Sequence, residues 1–169
     1  MVMPILITRK DYEALPEGMP MELCDGMLVK QPSPRYGHQR IQSVILKRLL
    51  SLLPTELVLA GPVDVLIDEL NVFVPDIVVL EERLDDDAPY VGTPLVVFEV
   101  LSPSTEARER DFKAKRYLGL GVAEVWLIDR AAETIEIVDL EGIRTSTNER
   151  PYVSMKVAGF ALAPRDVFV

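Results

Sequence analysis

The 169-residue chain is poor in cysteine and histidine, and Cys24 and His38 are its only examples. A single cysteine cannot form an internal disulfide, which is typical of a reducing compartment, so we expect a cytoplasmic protein. No apolar run is long enough to span a membrane, and the opening residues lack the positive charge of a signal peptide. The sequence also lacks zinc-ligand spacing, a glycine-rich phosphate loop and a dinucleotide-binding fingerprint.

Positive charge is scarce as well, because 18 lysines and arginines face 27 acidic residues and the formal net charge is −9. This balance argues against a nonspecific nucleic-acid binder with a broad basic surface. It does not exclude a nuclease with a locally basic groove, because the stretch 106–120 alone carries five basic residues. The length and the 49% hydrophobic content predict a single domain over residues 1–169.

Hydrophobic periodicity predicts three helices, over 9–14, 36–53 and 106–120. Thr8 can cap the first helix, and Ser104 or Thr105 can cap the third.

Strand patterns fill the segments between the helices. Asp25-Gly26 predicts a type I′ hairpin turn between short strands at 21–24 and 27–30. Further strands are predicted over 56–60, 63–67, 73–80, 94–101, 123–128, 133–139, 153–157 and 159–162. This order predicts an α/β or α+β fold, in which one mixed central β-sheet is packed by helices.

Two acidic residues lie in apolar strands. Asp76 follows Pro75, and Glu99 lies within Leu95–Leu101, a stretch that looks buried on both faces of a sheet. A carboxylate there is costly unless it is protonated, paired or bound to a cation. Mg²⁺ prefers oxygen ligands, so Asp76, Glu99 and the backbone carbonyl of Val100 are candidate ligands, with lysines on the next helix beside them.

Each candidate also has a structural interpretation. Backbone amides could satisfy Asp76, and an arginine of helix 106–120 could pair with Glu99. Glu22 precedes the hairpin turn and is expected to face solvent, and His38 is expected to cap or flank the second helix. Both are retained as weaker site candidates.

The chain resembles the Uma-type family of restriction-endonuclease-like proteins, within the PD-(D/E)xK nuclease superfamily. The similar stretches are MELCDGMLVKQPSP followed by His38, then VPDIVVL, and then VFEVLSPSTEARERDFKAKRYLGLGVAEVWLID. The resemblance implies a restriction-endonuclease-like fold and a metal site at Asp76 and Glu99. Where the superfamily has a lysine two residues after the glutamate, this chain has Leu101. The family pattern instead implies Lys113, four residues before Tyr117, with Lys115 as the alternative.

Two classes of function follow from these features. The first is an endonuclease that hydrolyses DNA with Mg²⁺ or Mn²⁺, in which Asp76 and Glu99 hold the cation and Lys113 stabilises charge at the phosphate. The second is a non-catalytic protein that retains the nuclease fold and binds protein or nucleic acid, which the acidic composition and Leu101 favour. We also expect a homodimer, because two-fold symmetry would give each strand of a duplex its own active site.

Overall fold

The computed structural model describes residues 5–16, 18–102 and 108–168, with side chains in the last range from residue 111 onward. A six-stranded sheet in the order β10-β9-β8-β7-β6-β3 forms its centre. β7 and β8 run parallel, whereas the other neighbours in this sheet are antiparallel. The mixed central sheet predicted from the sequence is therefore confirmed. The strands are β1 Met21–Cys24, β2 Met27–Lys30, β3 Val58–Ala60, β4 Val65–Asp68, β5 Asn71–Phe73, β6 Ile77–Val79, β7 Val96–Leu101, β8 Glu124–Asp129, β9 Thr134–Asp139, β10 Gly142–Ser146, β11 Tyr152–Val153 and β12 Ala161–Leu162.

The predicted hairpin forms, but it belongs to a second sheet that the sequence did not indicate. Asp25 and Gly26 both have positive φ values, of 47° and 72°, as a type I′ turn requires. The hairpin strands join β5 and β4 in a four-stranded sheet of order β2-β1-β5-β4. β11 and β12 form a separate two-stranded sheet. The expectation of one sheet was wrong, because strand pairing between distant segments leaves no local sequence signal.

The strand predicted over 73–80 is broken into β5 and β6. The residues between them, Val74, Pro75 and Asp76, carry the chain from the four-stranded sheet to the central one. Gly61 approaches this crossing closely, since its amide donates to the Asp76 carbonyl at 2.8 Å. A Cβ at Gly61 would lie 2.6 Å from the Pro75 carbonyl oxygen, so the approach requires glycine. The break places Asp76 directly before β6, an interior strand of the central sheet.

The three predicted helices form at the predicted positions, but their lengths and, for the third, the helix type differ from the prediction. Thr8 caps α1, Arg9–Glu13, through a capping box with Asp11. α2 spans Tyr36–Leu50, three residues shorter than predicted. A short helix α4 at Pro164–Val167 and strand β10 were not predicted.

The third predicted helix is not uniform. Residues Arg108–Lys113 form a π-helical segment that continues into α3, Ala114–Leu120. Gly121, with φ of 107°, ends the helix. Its predicted start at 106 and the proposed caps Ser104 and Thr105 lie outside the described residues. A π-helical turn contains an extra residue, which changes the face that the following side chains present.

The central sheet is buried on both faces. α2 packs Ile41, Ile45 and Leu49 against one face. The π-helical segment, α3 and the four-stranded sheet cover the other face, where Tyr117 and Phe73 meet edge to face with ring centroids 5.4 Å apart. None of the helices in the described ranges is long and apolar enough to cross a membrane.

Candidate functional site

Asp76 lies beside β7 at the point where the chain enters the central sheet. β6 and β7 pair Ile77 with Phe98, and the same register continued by one residue brings Asp76 opposite Glu99. The Val100 amide donates to Asp76 Oδ2 at 2.6 Å. The two acids that the sequence singled out are therefore neighbours across the sheet.

The first turns of α2 supply the other partners of Asp76. Gln42 Nε2 donates to Asp76 Oδ1 at 2.8 Å, and His38 Nε2 lies 3.2 Å from Asp76 Oδ2. His38 and Gln42 are four residues apart, so they lie on the same face of the helix. The Asp76 side chain keeps 19% of its surface exposed. His38 thus lies within the first turn of α2 and contacts a site carboxylate, where the sequence predicted a residue that caps or flanks the helix. Gln42 is a site residue that sequence reasoning missed.

Glu99 is held by the helical segment instead. Lys113 Nζ lies 2.8 Å from Glu99 Oε1, and the Tyr117 hydroxyl donates to the same oxygen at 2.9 Å. Only 2% of Glu99 and 1% of Lys113 are exposed. A buried carboxylate is stable there because a buried ammonium and a hydroxyl compensate for its lost hydration. A lysine of this helix therefore pairs with Glu99. Of the arginines predicted as its partner, only Arg116 has a described side chain, and it contacts Asp25 and Asp68 instead.

Glu22 completes this buried cluster and corrects the expectation that it faces solvent. Its Oε2 lies 3.2 Å from Lys113 Nζ, and the residue is completely buried. The reason is that β1 is an interior strand, flanked by β2 and β5, and that Lys113 of the helical segment lies against the face that carries Glu22. Gln31 Nε2 also reaches Glu22 Oε2, at 3.5 Å. We call Glu22, Glu99, Lys113 and Tyr117 the buried network.

The structure separates the two candidate lysines. Lys113 lies in the buried network, whereas Lys115 is exposed on the helical segment. Sequence alone could not fix the rotation of this helix, and the π-helical turn shows why a simple helical wheel would have been a poor guide. The Val100 amide binds Asp76, and the role predicted for its carbonyl oxygen stays a prediction.

A cleft of about 1400 Å³ opens at this site. Asp76, Glu99 and His38 line it, while Lys113 and Glu22 lie beneath its surface. Asp129 and Arg130, at the end of β8, and the first turns of α2 form another part of its lining. Both candidate ligands therefore line one open cleft.

Tyrosines and acids form a further part of the cleft lining. The Tyr12 hydroxyl donates to Asp64 at 3.2 Å, and the Tyr90 hydroxyl donates to Glu13 at 3.1 Å. Burial raises the pKa of Asp64 and, together with the Asp64 charge, that of Tyr12. Burial and the bond to Glu13 raise the pKa of Tyr90 to about 12. Both phenols consequently stay protonated and act as donors at neutral pH.

The donor set fits a hard divalent cation. In the ranges that the structure describes, no group of three or more His, Cys, Asp or Glu side chains is placed to hold a metal. Mg²⁺, however, commonly takes one or two carboxylates and completes its octahedron with water. Asp76 and Glu99 offer oxygen donors of this kind at the wall of a cleft. A shared cation at these two residues remains a prediction.

Comparisons with known proteins identify a family by its profile and a fold by structural similarity. The profile of the Uma2 family, described as "Putative restriction endonuclease", matches residues 9–163. The chain is similar to a crystal structure from Anabaena variabilis ATCC 29413, described as "a putative nuclease belonging to DUF820". The TM-score is 0.83 at 22% identity, and the alignment covers 98% of each chain. Among curated proteins, none matches the chain.

Proposed function

The chain belongs to the Uma2 family, and from this membership and the geometry of the cleft we propose that it is a metal-dependent nuclease that hydrolyses phosphodiester bonds of DNA. One observation carries the proposal: Asp76 and Glu99 both line one cleft, and each is fixed by its own set of donors. Prepositioned carboxylates of this kind suit a hydrolytic site, because they need little reorganisation during the reaction.

Asp76 and Glu99 are the proposed ligands of Mg²⁺ or Mn²⁺. The chemistry that such an ion supplies is neutralisation of charge on the phosphate and activation of a water molecule. Gln42, His38 and the Val100 amide orient Asp76 toward the cleft. Such supporting partners commonly change metal affinity or activity by about 10- to 100-fold when they are removed.

Lys113 is proposed as a positioning residue. It lies beneath the cleft surface and reaches the site through its contact with Glu99. Its ammonium compensates for the charge of the buried Glu99 carboxylate and holds that carboxylate in position. Tyr117 fixes the same oxygen from the next turn of the helix. The sequence analysis predicted that Lys113 directly stabilises charge at the phosphate. Its burial beneath the cleft surface favours the positioning role instead.

The test combines cleavage with metal binding. Plasmid DNA, single-stranded DNA and RNA are incubated with Mg²⁺ or Mn²⁺ and with either the wild type or Glu99→Gln. We expect the wild type to cleave DNA and the variant to be inactive. The cation should stabilise the wild type by about 2.7 kcal/mol at a hundredfold excess over its dissociation constant, and the variant much less.

Glu124→Gln provides the matched control, since Glu124 is an equally buried carboxylate on the neighbouring strand. It should retain both cleavage and the response to the cation. If the wild type cleaves no nucleic acid, and Glu99→Gln responds to the cation as the wild type does, the nuclease proposal is wrong.

A non-catalytic binding module is the second candidate. The described part of the cleft lining favours it, because five carboxylates there face only two arginines. Such a surface repels nucleic acid unless cations screen it. A wild type that binds nucleic acid or a protein partner but cleaves nothing, with Glu99→Gln binding equally well, would support this candidate. The homodimer predicted from the sequence stays a prediction.

A further inference from the structure

The arginines of the chain differ in what they bind. Most arginines with described side chains contact an acid or a backbone carbonyl of the chain; these are Arg9, Arg40, Arg48, Arg83, Arg116, Arg144 and Arg165. Within the described residues, Arg35, Arg130 and Arg150 form no ion pair or side-chain hydrogen bond. Such guanidinium groups remain available to an external anion.

Two of these three arginines line the cleft. Arg35 directly precedes α2, and Arg130 directly follows β8. They are the only arginine or lysine residues in the described part of the lining, which otherwise carries five carboxylates. Both arginines are exposed, so they can reach a molecule in the cleft.

The backbone of α2 determines where Arg130 lies. A Cβ at Gly37 would be 2.8 Å from one terminal nitrogen of Arg130, and 2.9 Å from its central guanidinium carbon. The guanidinium thus rests directly on the second residue of α2, one residue before His38, whose imidazole contacts Asp76. No acidic side chain occupies the first turn of α2. Arg130 is therefore close to the site carboxylates in the fold, but no described acid neutralises it.

We propose that Arg35 and Arg130 form a phosphate-binding subsite that holds the nucleic-acid backbone beside the candidate metal centre. The proposal rests on the proposed nuclease function, for which it names the residues that contact the substrate. Guanidinium groups bind phosphate oxygens through paired N–H donors, and each contact releases counterions from the nucleic acid. Among the described lining residues, which include five carboxylates, these two arginines carry the positive charge, so the nucleic-acid strand should pass beside them.

The experiment measures binding without cleavage. Fluorescently labelled DNA and RNA oligonucleotides are titrated in EDTA, at several salt concentrations, with the wild type, Arg130→Gln, Arg35→Gln and Arg150→Gln. Arg150 is the matched control, because it is exposed, has no ion pair within the described residues and lies outside the described cleft lining. Each variant removes one positive charge, so the net charge changes equally.

We expect Arg130→Gln and Arg35→Gln each to lower the slope of log K against log salt by about one unit, with affinity lower on the order of tenfold near 0.1 M salt. Arg150→Gln should keep the wild-type slope. If Arg130→Gln and Arg150→Gln have equal slopes, or if the wild type binds neither oligonucleotide, the subsite does not exist. Comparison of the DNA and RNA titrations identifies the preferred backbone.

Failure of the subsite and failure of the nuclease proposal can be distinguished. If the arginine variants bind and cleave like the wild type, the subsite is wrong and the nuclease proposal stands. If binding depends on Arg130 but the wild type cleaves nothing, the subsite stands and the nuclease proposal is wrong.

Discussion

Glu99 and Glu124 are two buried carboxylates on neighbouring strands of one sheet, and they differ in their partners and in their access to the cleft. Glu99 is 2% exposed and Glu124 is 1% exposed. Glu99 lies near the end of β7 and lines the cleft, where a lysine and a tyrosine hold it. Glu124 lies at the start of β8 and is absent from the cleft lining.

The partners of Glu124 are all neutral. Trp126 Nε1 donates to its Oε2 at 3.1 Å, Ser154 Oγ donates to the same oxygen at 2.7 Å, and the Met155 amide donates to Oε1 at 2.6 Å. The bonds from Ser154 and Met155 link the chain that follows β11 to β8. Burial of an acid in an apolar strand is therefore a poor sign of function by itself. Access to a cleft, and a second acid beside it, distinguish Glu99.

The largest effect on stability is expected for Lys113→Met. This change leaves Glu22 and Glu99 as buried carboxylates without their shared ammonium, which should cost about 3–5 kcal/mol in the free energy of unfolding. Urea denaturation measures the loss. The exposed Lys115 provides the control, because Lys115→Met should change stability by no more than about 0.5 kcal/mol.

A second substitution tests whether charge causes the loss. In the double variant Glu22→Gln, Lys113→Met, one of the two buried carboxylates that lost the ammonium is replaced by a neutral amide. The double variant should therefore be more stable than Lys113→Met alone. A Lys113→Met protein as stable as the wild type would show that the buried network does not depend on its ammonium.

An intermediate effect is expected for Glu124→Gln. An amide retains one acceptor oxygen, so the donors at the other oxygen position lose their partner, at a cost of about 1–3 kcal/mol. Cleavage should be retained because Glu124 does not line the cleft. If Glu124→Gln had wild-type stability but no cleavage activity, Glu124 would have a role in the site and the distinction from Glu99 would be wrong.

The smallest effect is expected for Tyr117→Phe. Phenylalanine fills the same space beside Phe73 but removes one donor to Glu99, and Lys113 still holds that oxygen. The expected cost is about 1.5 kcal/mol, the lower limit for a hydrogen bond to a charged group. If Tyr117 orients Glu99, the apparent affinity for Mg²⁺ should fall while the secondary structure is unchanged. An unaltered affinity would leave Tyr117 with a packing role only.

The fold class could be predicted because its signals are local. Short runs of apolar residues indicated most of the central strands, and Asp25-Gly26 determined the hairpin turn. The second sheet could not be predicted, since β5 pairs with β1 across nearly fifty residues of chain. The break at Pro75 had a local signal, the proline itself, but its consequence depended on which sheet each half joined.

Sequence by itself determined which acids merit attention. Asp76 and Glu99 stand out because a carboxylate in an apolar strand requires a partner, whatever the fold. Only the tertiary structure decided what those partners are. It selected Lys113 over Lys115, buried Glu22 beside it, and separated Glu99 from Glu124. The physical reason is that a residue's environment is set by segments distant in sequence, and burial, ion pairing and access to the cleft exist only after those segments pack together.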